Sequence, residues 1–290
     1  MNKISLAGYL GNQLFQLAFA HELQNKDPKS KVRMFNFTSK PSKAENFLER
    51  LNLNCVHVEY EESPWLAQMQ VRVSNKLSMN SYFNQEQIQQ ISGVINANES
   101  KFQIDKVSGS RIWLGYFQNV HLLPHGIGAV VSELNERIEF EFNQINALLH
   151  SELHTLGDYQ VIHVRRNDMK EPENAPFGIL KPEFYTTHLK ANLPVVCTTD
   201  DEFAIQDILS LIKPIIVLGK NDVTPMQAIS IMSQAKHLVA ANSTMSFWGS
   251  LLCAENGGSS IFPIPRTSPG AYFDATNLFP GFQLAPGVFY

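Results

Sequence analysis

Tyr159-Gln-Val-Ile-His163-Val-Arg165-Arg166-Asn-Asp168 is the stretch from which the fold of this chain is read. Val161, Ile162 and Val164 are β-branched and the run is apolar, which predicts a strand buried on both faces. It ends in two adjacent arginines, with His163 just before them and Asp168 just after. Fixed guanidiniums at the end of a buried strand are costly unless an anion meets them. In open α/β sheets, ligands sit in the crevice beyond the carboxyl ends of the strands. Arginine stays charged at any working pH and grips phosphate through two parallel N–H bonds. Arg165 and Arg166 therefore read as a diphosphate clamp. A structural Arg–Asp ion pair at the strand end is the plain alternative.

Toward the C-terminus, strands and helices alternate. Lys181-Pro182 opens a helix with proline near its first turn. Leu193 to Cys197 is a strand that ends in Thr198-Thr199-Asp200-Asp201. Phe203 to Leu211 reads as a helix and Ile215 to Leu218 as a strand. Thr224-Pro225 is an N-cap followed by proline, opening a helix to about Lys236. His237 to Ala241 is a strand, and Asn242-Ser-Thr-Met-Ser246 leads into a helix that stops before Gly257-Gly258. Ile261 to Ile264 reads as a final strand. This alternation implies a parallel sheet with helices on both faces.

Two more strand ends thus carry polar clusters. Ser243, Thr244 and Ser246 sit at the start of a helix, where hydroxyls and backbone N–H groups suit phosphate oxygens. Capping explains one such hydroxyl more easily than three. Asp200 and Asp201 end another strand, where a carboxylate can accept paired N–H donors such as those of guanine. Their simpler role is to cap the following helix. Arginines, hydroxyls and a carboxylate at neighbouring strand ends together fit a nucleoside diphosphate.

The first half alternates in the same style. Ile4 to Ala7 is a short strand, followed by Gly8-Tyr-Leu-Gly11-Asn12-Gln13 and a helix through about Gln24. Leu14, Phe15, Ala18, Phe19 and Leu23 fall mostly on one stripe of that helix. Strand, glycine turn and helix leave N–H groups for an anion at the helix start. The third glycine of a dinucleotide fingerprint and the Gly-Lys-Ser/Thr of a P-loop are both missing. Asn12 reads most simply as a helix cap. Val32 to Phe37 and Cys55 to Val58 look like strands, with a short helix over Lys43 to Leu51 between them. Pro64 to Asn96 reads as long loops and irregular helix. Arg111-Ile-Trp-Leu-Gly-Tyr-Phe-Gln118 is an aromatic strand, and Val130 to Leu149 an amphipathic helix. Two domains are expected, 1–155 and 156–290.

A chain of 290 residues, 44% of them hydrophobic, can bury two cores of ordinary size. A net charge of −4 gives no global basic field, and no basic run interleaves with aromatics. Nucleic acid is therefore not an expected partner. The three cysteines are far apart and in no metal-binding spacing, which fits a reducing compartment. No signal peptide and no membrane-spanning run is apparent. The expected setting is cytoplasmic, with room for peripheral contact at the inner face of the membrane.

Four segments carry a family resemblance. Gly8-Tyr-Leu-Gly-Asn-Gln-Leu-Phe-Gln16, Leu114-Gly-Tyr-Phe-Gln118, His163-Val-Arg-Arg-Asn-Asp168 and Asn242-Ser-Thr-Met-Ser-Phe-Trp-Gly249 come in the right order to resemble the bacterial α1,2-fucosyltransferases of glycosyltransferase family 11. The resemblance implies a GT-B-like α/β architecture, two Rossmann-type domains with parallel sheets facing across a cleft. The acceptor, a galactose-terminated glycan or lipid-linked oligosaccharide, would lie mainly on the first domain and GDP-fucose on the second. By the same resemblance Arg165 binds the diphosphate with Arg166 in support, and His163 with Asp201 or Asp200 holds the guanosine. Asn242, Ser243, Thr244 and Ser246 would lie along the phosphates, while Asn12 and Gln13 face the donor across the cleft. Asp168 and Glu173, nearest in sequence to the arginines, are the candidates for the base that takes the acceptor proton, with a structural ion-pair role as the alternative for each. Two departures mark this chain. Asn167-Asp168-Met169 stands where Gly-Asp-Tyr is usual, and Phe247-Trp248 replaces Trp-Trp. No Asp-x-Asp occurs, so no metal or other cofactor is expected.

Overall fold

A computed structural model of the chain describes residues 2–6, 8–29, 32–36, 48, 58–62, 89–91, 94–96, 111–167, 169, 178–266 and 270–290. They fall into two compact units, Met1–Glu133 and Leu134–Tyr290. The division lies inside the helix Pro124–Asn143, ahead of the turn where the sequence suggests it. Asp168, Glu173, Cys55 and all of Lys43–Leu51 except Leu48 lie outside the described residues.

The first unit is organised on β1 (Asn2–Leu6) and α1 (Leu10–Lys26). With β2 (Val32–Asn36), β3 (Val58–Glu62), β4 (Gln89–Ile91), β5 (Val94–Asn96) and β6 (Arg111–Leu114), the sheet order is β3-β2-β1-β6-β5-β4. All pairs are parallel except β4 with β5. The hairpin of β4 and β5 lies where only loops and irregular helix were expected. Helix α1 is buried almost continuously from Leu10 to Ala20, not along one stripe, because it lies at the centre of its unit. α2 (Pro124–Asn143) starts against it: a Cβ on Gly126 would come within 1.9 Å of the Ala18 carbonyl oxygen. The buried Glu22 accepts from Gly126 N at 3.0 Å, an anion at a helix N-terminus.

In place of one helix over Val130–Leu149 there are two, α2 and α3 (Ala147–Leu156). Asn146 makes the break, since its side chain accepts from Leu148 N at 2.9 Å and so caps a new helix.

The second unit is built from β7 (Gln160–Val164), α4 (Pro182–His188), β8 (Val195–Thr199), α5 (Gln206–Ile212), β9 (Ile216–Leu218), α6 (Pro225–Ser233), β10 (His237–Val239), α7 (Thr244–Glu255), β11 (Ser259–Ile264) and β12 (Phe282–Pro286). Its sheet is wholly parallel in the order β12-β11-β10-β7-β8-β9. Read from the other edge, that is the doubly wound order of a dinucleotide-binding domain. β7 is buried at every position, as its β-branched run requires. Thr224 and Gln227 close a reciprocal capping box at α6, with Pro225 behind the cap. β12 was not foreseen. Phe282 joins Phe247, Phe262 and Phe273 in an edge-on ring cluster under α7, with centroids 5.5–5.8 Å from Phe247. Cys197 and Cys253 are buried free thiols, each pushed up to about 12 by burial. Among the described residues, no helix is long and apolar enough to cross a membrane.

Candidate functional site

The chain leaves the core of the second sheet at Arg165. Two residues earlier, His163 is 3% exposed, and its Nδ1 shares a hydrogen bond with Ser246 Oγ. That hydroxyl oxygen also accepts from Ala241 N at 3.1 Å. Burial, and then the Arg165 charge, lower the His163 pKa to about 3, so the ring is neutral at working pH. Ser246 is fully buried and acts by fixing the His163 ring, with no exposed face of its own. Thr198 sits beside His163 in the register of β7 and β8. Its buried hydroxyl has no hydrogen-bond partner among the described residues.

The two arginines have different surroundings. Arg166 is buried, and its fork meets Asp207 at 3.0 Å through both Nη1 and Nη2. The same nitrogens donate to Ala204 O and Leu180 O. Tyr290 donates its hydroxyl to Asp207 Oδ2 at 2.9 Å and lays its ring 5.5 Å from the Arg166 guanidinium. Burial pushes the Asp207 carboxyl up, but its bonds to Arg166, Tyr290 and the Ile208 amide, with the Arg166 charge, hold it below the ordinary range. Arg166 is thus in the structural ion pair, with Asp207 as partner. Arg165 remains partly buried at the strand end.

Asp200 brackets the turn after β7, accepting from Arg166 N at 2.8 Å and Asn167 N at 3.2 Å. Asp201 accepts from Phe203 N and Ala204 N, both at 3.1 Å, and so caps the 3-10 turn over Phe203–Ile205. Asp201 thus has the simpler capping role, whereas Asp200 instead ties the end of β8 to the turn after β7. Ser243 is the N-cap residue of α7 but makes no side-chain cap bond. Asn242 and Thr244 flank it, both partly buried. α7 directs partial positive charge out of its N-terminus, as any helix of this length does. The sheet reverses its strand order between β7 and β10, so Arg165 and the start of α7 border the same crevice. Charge, helix dipole and position there all favour an anion.

In the first unit, Asn12 is not the helix cap; Tyr9 is, without a side-chain bond. Asn12 Oδ1 accepts from Gln118 Nε2 at 2.9 Å. Gln13 is fully buried and donates to Gly8 O at 3.1 Å, bracing the β1–α1 loop. Gln16, one turn on, is buried as well and donates to Gly115 O at 2.8 Å.

No family model and no curated protein matches the sequence. Among solved structures, a family 9 glycosyltransferase from Veillonella parvula DSM 2008 superposes with a TM-score of 0.50 at 9% identity, covering 98% of this chain and 85% of that one. The two share a fold. The E. coli heptosyltransferase WaaC with ADP has a TM-score of 0.46 at 10% identity, covering 99% of this chain and 93% of its own. The fucosyltransferase NodZ from Bradyrhizobium has 0.48 at 11%, covering 87% and 93%. The fold class is thus the GT-B-like one expected, with Rossmann-type α/β units.

Among the described residues, no group of three or more His, Cys, Asp or Glu could hold a metal ion. The sequence reading missed Asp207 and Tyr290. Asp207 looks like one polar residue on an amphipathic helix, and only the fold brings it to Arg166. Gln16 did leave a signal, as a polar residue inside a run that is otherwise buried.

Proposed function

We propose that the chain is an inverting glycosyltransferase that moves L-fucose from GDP-β-L-fucose to the 2-hydroxyl of a galactose-terminated glycan, a step of surface-polysaccharide (O-antigen) assembly. The observation that carries this reading is the crevice between β7 and β10, bordered by Arg165 and the start of α7. The four motifs that resemble family 11 supply the donor and linkage.

The acceptor oxygen attacks the anomeric carbon while the bond from that carbon to the β-phosphate oxygen breaks. The electron pair leaves with GDP, and the acceptor proton passes to a carboxylate, Asp168 or Glu173. Negative charge grows on the departing diphosphate. Arg165 and the α7 N-terminus meet it, and fixed donors of this kind are the strongest lever available to such a site. Arg166, Asp200 and Asp207 hold the turn that carries Arg165. Neutral His163, locked by Ser246, offers its ring to the guanosine without adding charge. Asp200 or Asp201 accepts from the guanine edge.

Calorimetric titration of the whole chain with GDP, UDP, ADP and CMP tests this directly. GDP should bind most tightly, and a preference for UDP or ADP would eliminate the reading. Tight GDP binding with no transfer to any galactoside would instead leave a non-catalytic sugar-nucleotide-binding protein.

A further inference from the structure

The first unit also reverses its strand order, between β1 and β6, which run parallel with Ile4 opposite Trp113. Such a reversal opens a crevice at the carboxyl ends of the two strands, whichever unit contains it. The loops that border it are Gly8-Tyr-Leu-Gly-Asn-Gln13 and Gly115-Tyr-Phe-Gln118, and neither contains a charged residue. Its chemistry is thus opposite to that of the β7–β10 crevice.

The loops are held in place by amides. Gln13 braces the first through Gly8 O, and Gln16 braces the second through Gly115 O. Gln118 ties the second loop to Asn12 on the first turn of α1. At the centre of the second loop, Phe117 has φ 54, a left-handed conformation that a bulky aromatic rarely adopts. Its ring is fully buried and stacks on Phe19 with centroids 4.0 Å apart and planes within 6°. Strained residues of this kind concentrate at ligand sites, where surrounding packing can hold them. Here the strain has a visible result. With Phe117 turned inward, Tyr116 is left 38% exposed and Gln118 reaches Asn12. Across the reversal Tyr9 is 70% exposed.

We propose that Tyr9 and Tyr116 form a stacking platform for a neutral pyranose ring, with the Asn12–Gln118 amide pair beside them for its hydroxyls. A diphosphate would find no cation in either loop. A wholly apolar ligand would make no use of the polar Asn12–Gln118 pair. A sugar ring has an apolar C–H face and a rim of hydroxyls, which matches both features. Galactose suits it well, because its hydrogens at C3, C4 and C5 share one face. The assignment of this ring to the glycan acceptor rests on the proposed transferase function; the stacking itself does not.

Saturation-transfer NMR of the whole chain with lactose and methyl β-D-galactopyranoside reads the platform without any donor. Transfer to the galactose H3, H4 and H5 protons is expected in the wild type and in Tyr9→Phe and Tyr116→Phe, which keep the rings. In Tyr9→Ala and Tyr116→Ala it should fall, with affinity roughly tenfold weaker, the scale of one lost aromatic contact. GDP titrated into the same samples should bind equally to all five proteins. No transfer to the wild type, or undiminished transfer to both alanine variants, would overturn the platform. So would loss of sugar binding only in step with GDP binding. A chain that bound galactoside through the tyrosines but ignored GDP would keep the platform and sink the donor assignment.

Discussion

Arg165 and Arg166 are chemically identical neighbours with different surroundings. Arg166 has both outer nitrogens on Asp207 and two carbonyls in range, so its guanidinium is fixed within the fold. Arg165 stands partly buried at the end of a fully buried strand, at the same strand-order reversal as the start of α7. Arg165→Ala should lower kcat by about 100- to 1000-fold, the usual loss when one fixed donor to growing charge is removed. Arg165→Lys should recover little, since a point charge does not reproduce the planar fork. Arg166→Ala should appear first as a lower melting temperature, because Asp207 and two backbone carbonyls lose their donor. Steady-state kinetics with GDP-fucose, run beside thermal melts, separate the cases; full turnover in Arg165→Ala removes the clamp. His163 gives a second prediction. Its pKa is held near 3, below its ordinary 6.5, by burial and then by the Arg165 charge. Between those values the unfolded chain binds a proton that the folded chain refuses, so stability is full above about pH 6.5 and drains as pH falls toward 3. Urea midpoints should drop between pH 8 and pH 5 in the wild type and drop less in His163→Gln. His237, whose pKa is also lowered by burial, makes its own contribution, which the variant leaves in place. A His163 ring that titrates near 6.5 by NMR would contradict its burial.

At the scale of elements, helix contacts are set by single residues whose importance the sequence only half reveals. Gly126 and Gly128 lie on the same helix α2, two positions apart. A Cβ on Gly126 would collide with the Ala18 backbone, at 1.9 Å from its oxygen, whereas a Cβ on Gly128 would meet nothing within 4 Å. Gly126→Ala should force α1 and α2 apart and cost about 3 kcal/mol or more. Gly128→Ala should stabilise by about 0.5–1 kcal/mol, the ordinary gain for a glycine replaced inside a helix. Urea denaturation of the two variants checks both signs, and equal stabilisation would mean that helix propensity, not contact, dominates. Nothing in the sequence distinguishes these glycines. What was legible is the part that local chemistry dictates: the β-branched run of β7, the Thr224-Pro225 cap of α6, the alternation that implies a parallel sheet. β12 escaped because Phe282–Pro286 is short, carries proline and is recruited by ring contacts with Phe247 and Phe262. The α2–α3 break escaped because Asn146 can sit in a helix or cap one, and the choice is tertiary. At the site, the strand-end position of Arg165 could be read directly. The pairing of Arg166 with Asp207 could not, since it joins residues that only the folded sheet brings together.

At the scale of the molecule, the chain divides its chemistry between two strand-order reversals. The one between β7 and β10 has cationic and dipolar edges; the one between β1 and β6 has aromatic and amide edges. This division bears on whether a metal ion takes part. Transferases that need Mn²⁺ or Mg²⁺ hold the diphosphate-bound ion with carboxylates, because these hard cations want oxygen ligands. No Asp-x-Asp occurs in the 290 residues. Asp200 and Asp201, adjacent in sequence, turn to different partners, one to the β7 turn and the other to the following 3-10 turn. In the proposed mechanism Arg165 and the N-terminus of α7 offer the charge that a dication would supply. A dication placed there without the diphosphate between them would be repelled by the guanidinium. Transfer should therefore survive excess EDTA, with kcat little changed and any stimulation by added Mg²⁺ confined to release of GDP. The measurement is initial-rate transfer to lactose after exhaustive chelation, with Mn²⁺ and Mg²⁺ added back separately. Complete loss that only a divalent ion restores would show that Arg165 and α7 do not carry the leaving-group charge, and the mechanism would have to be rebuilt around a metal-bound diphosphate.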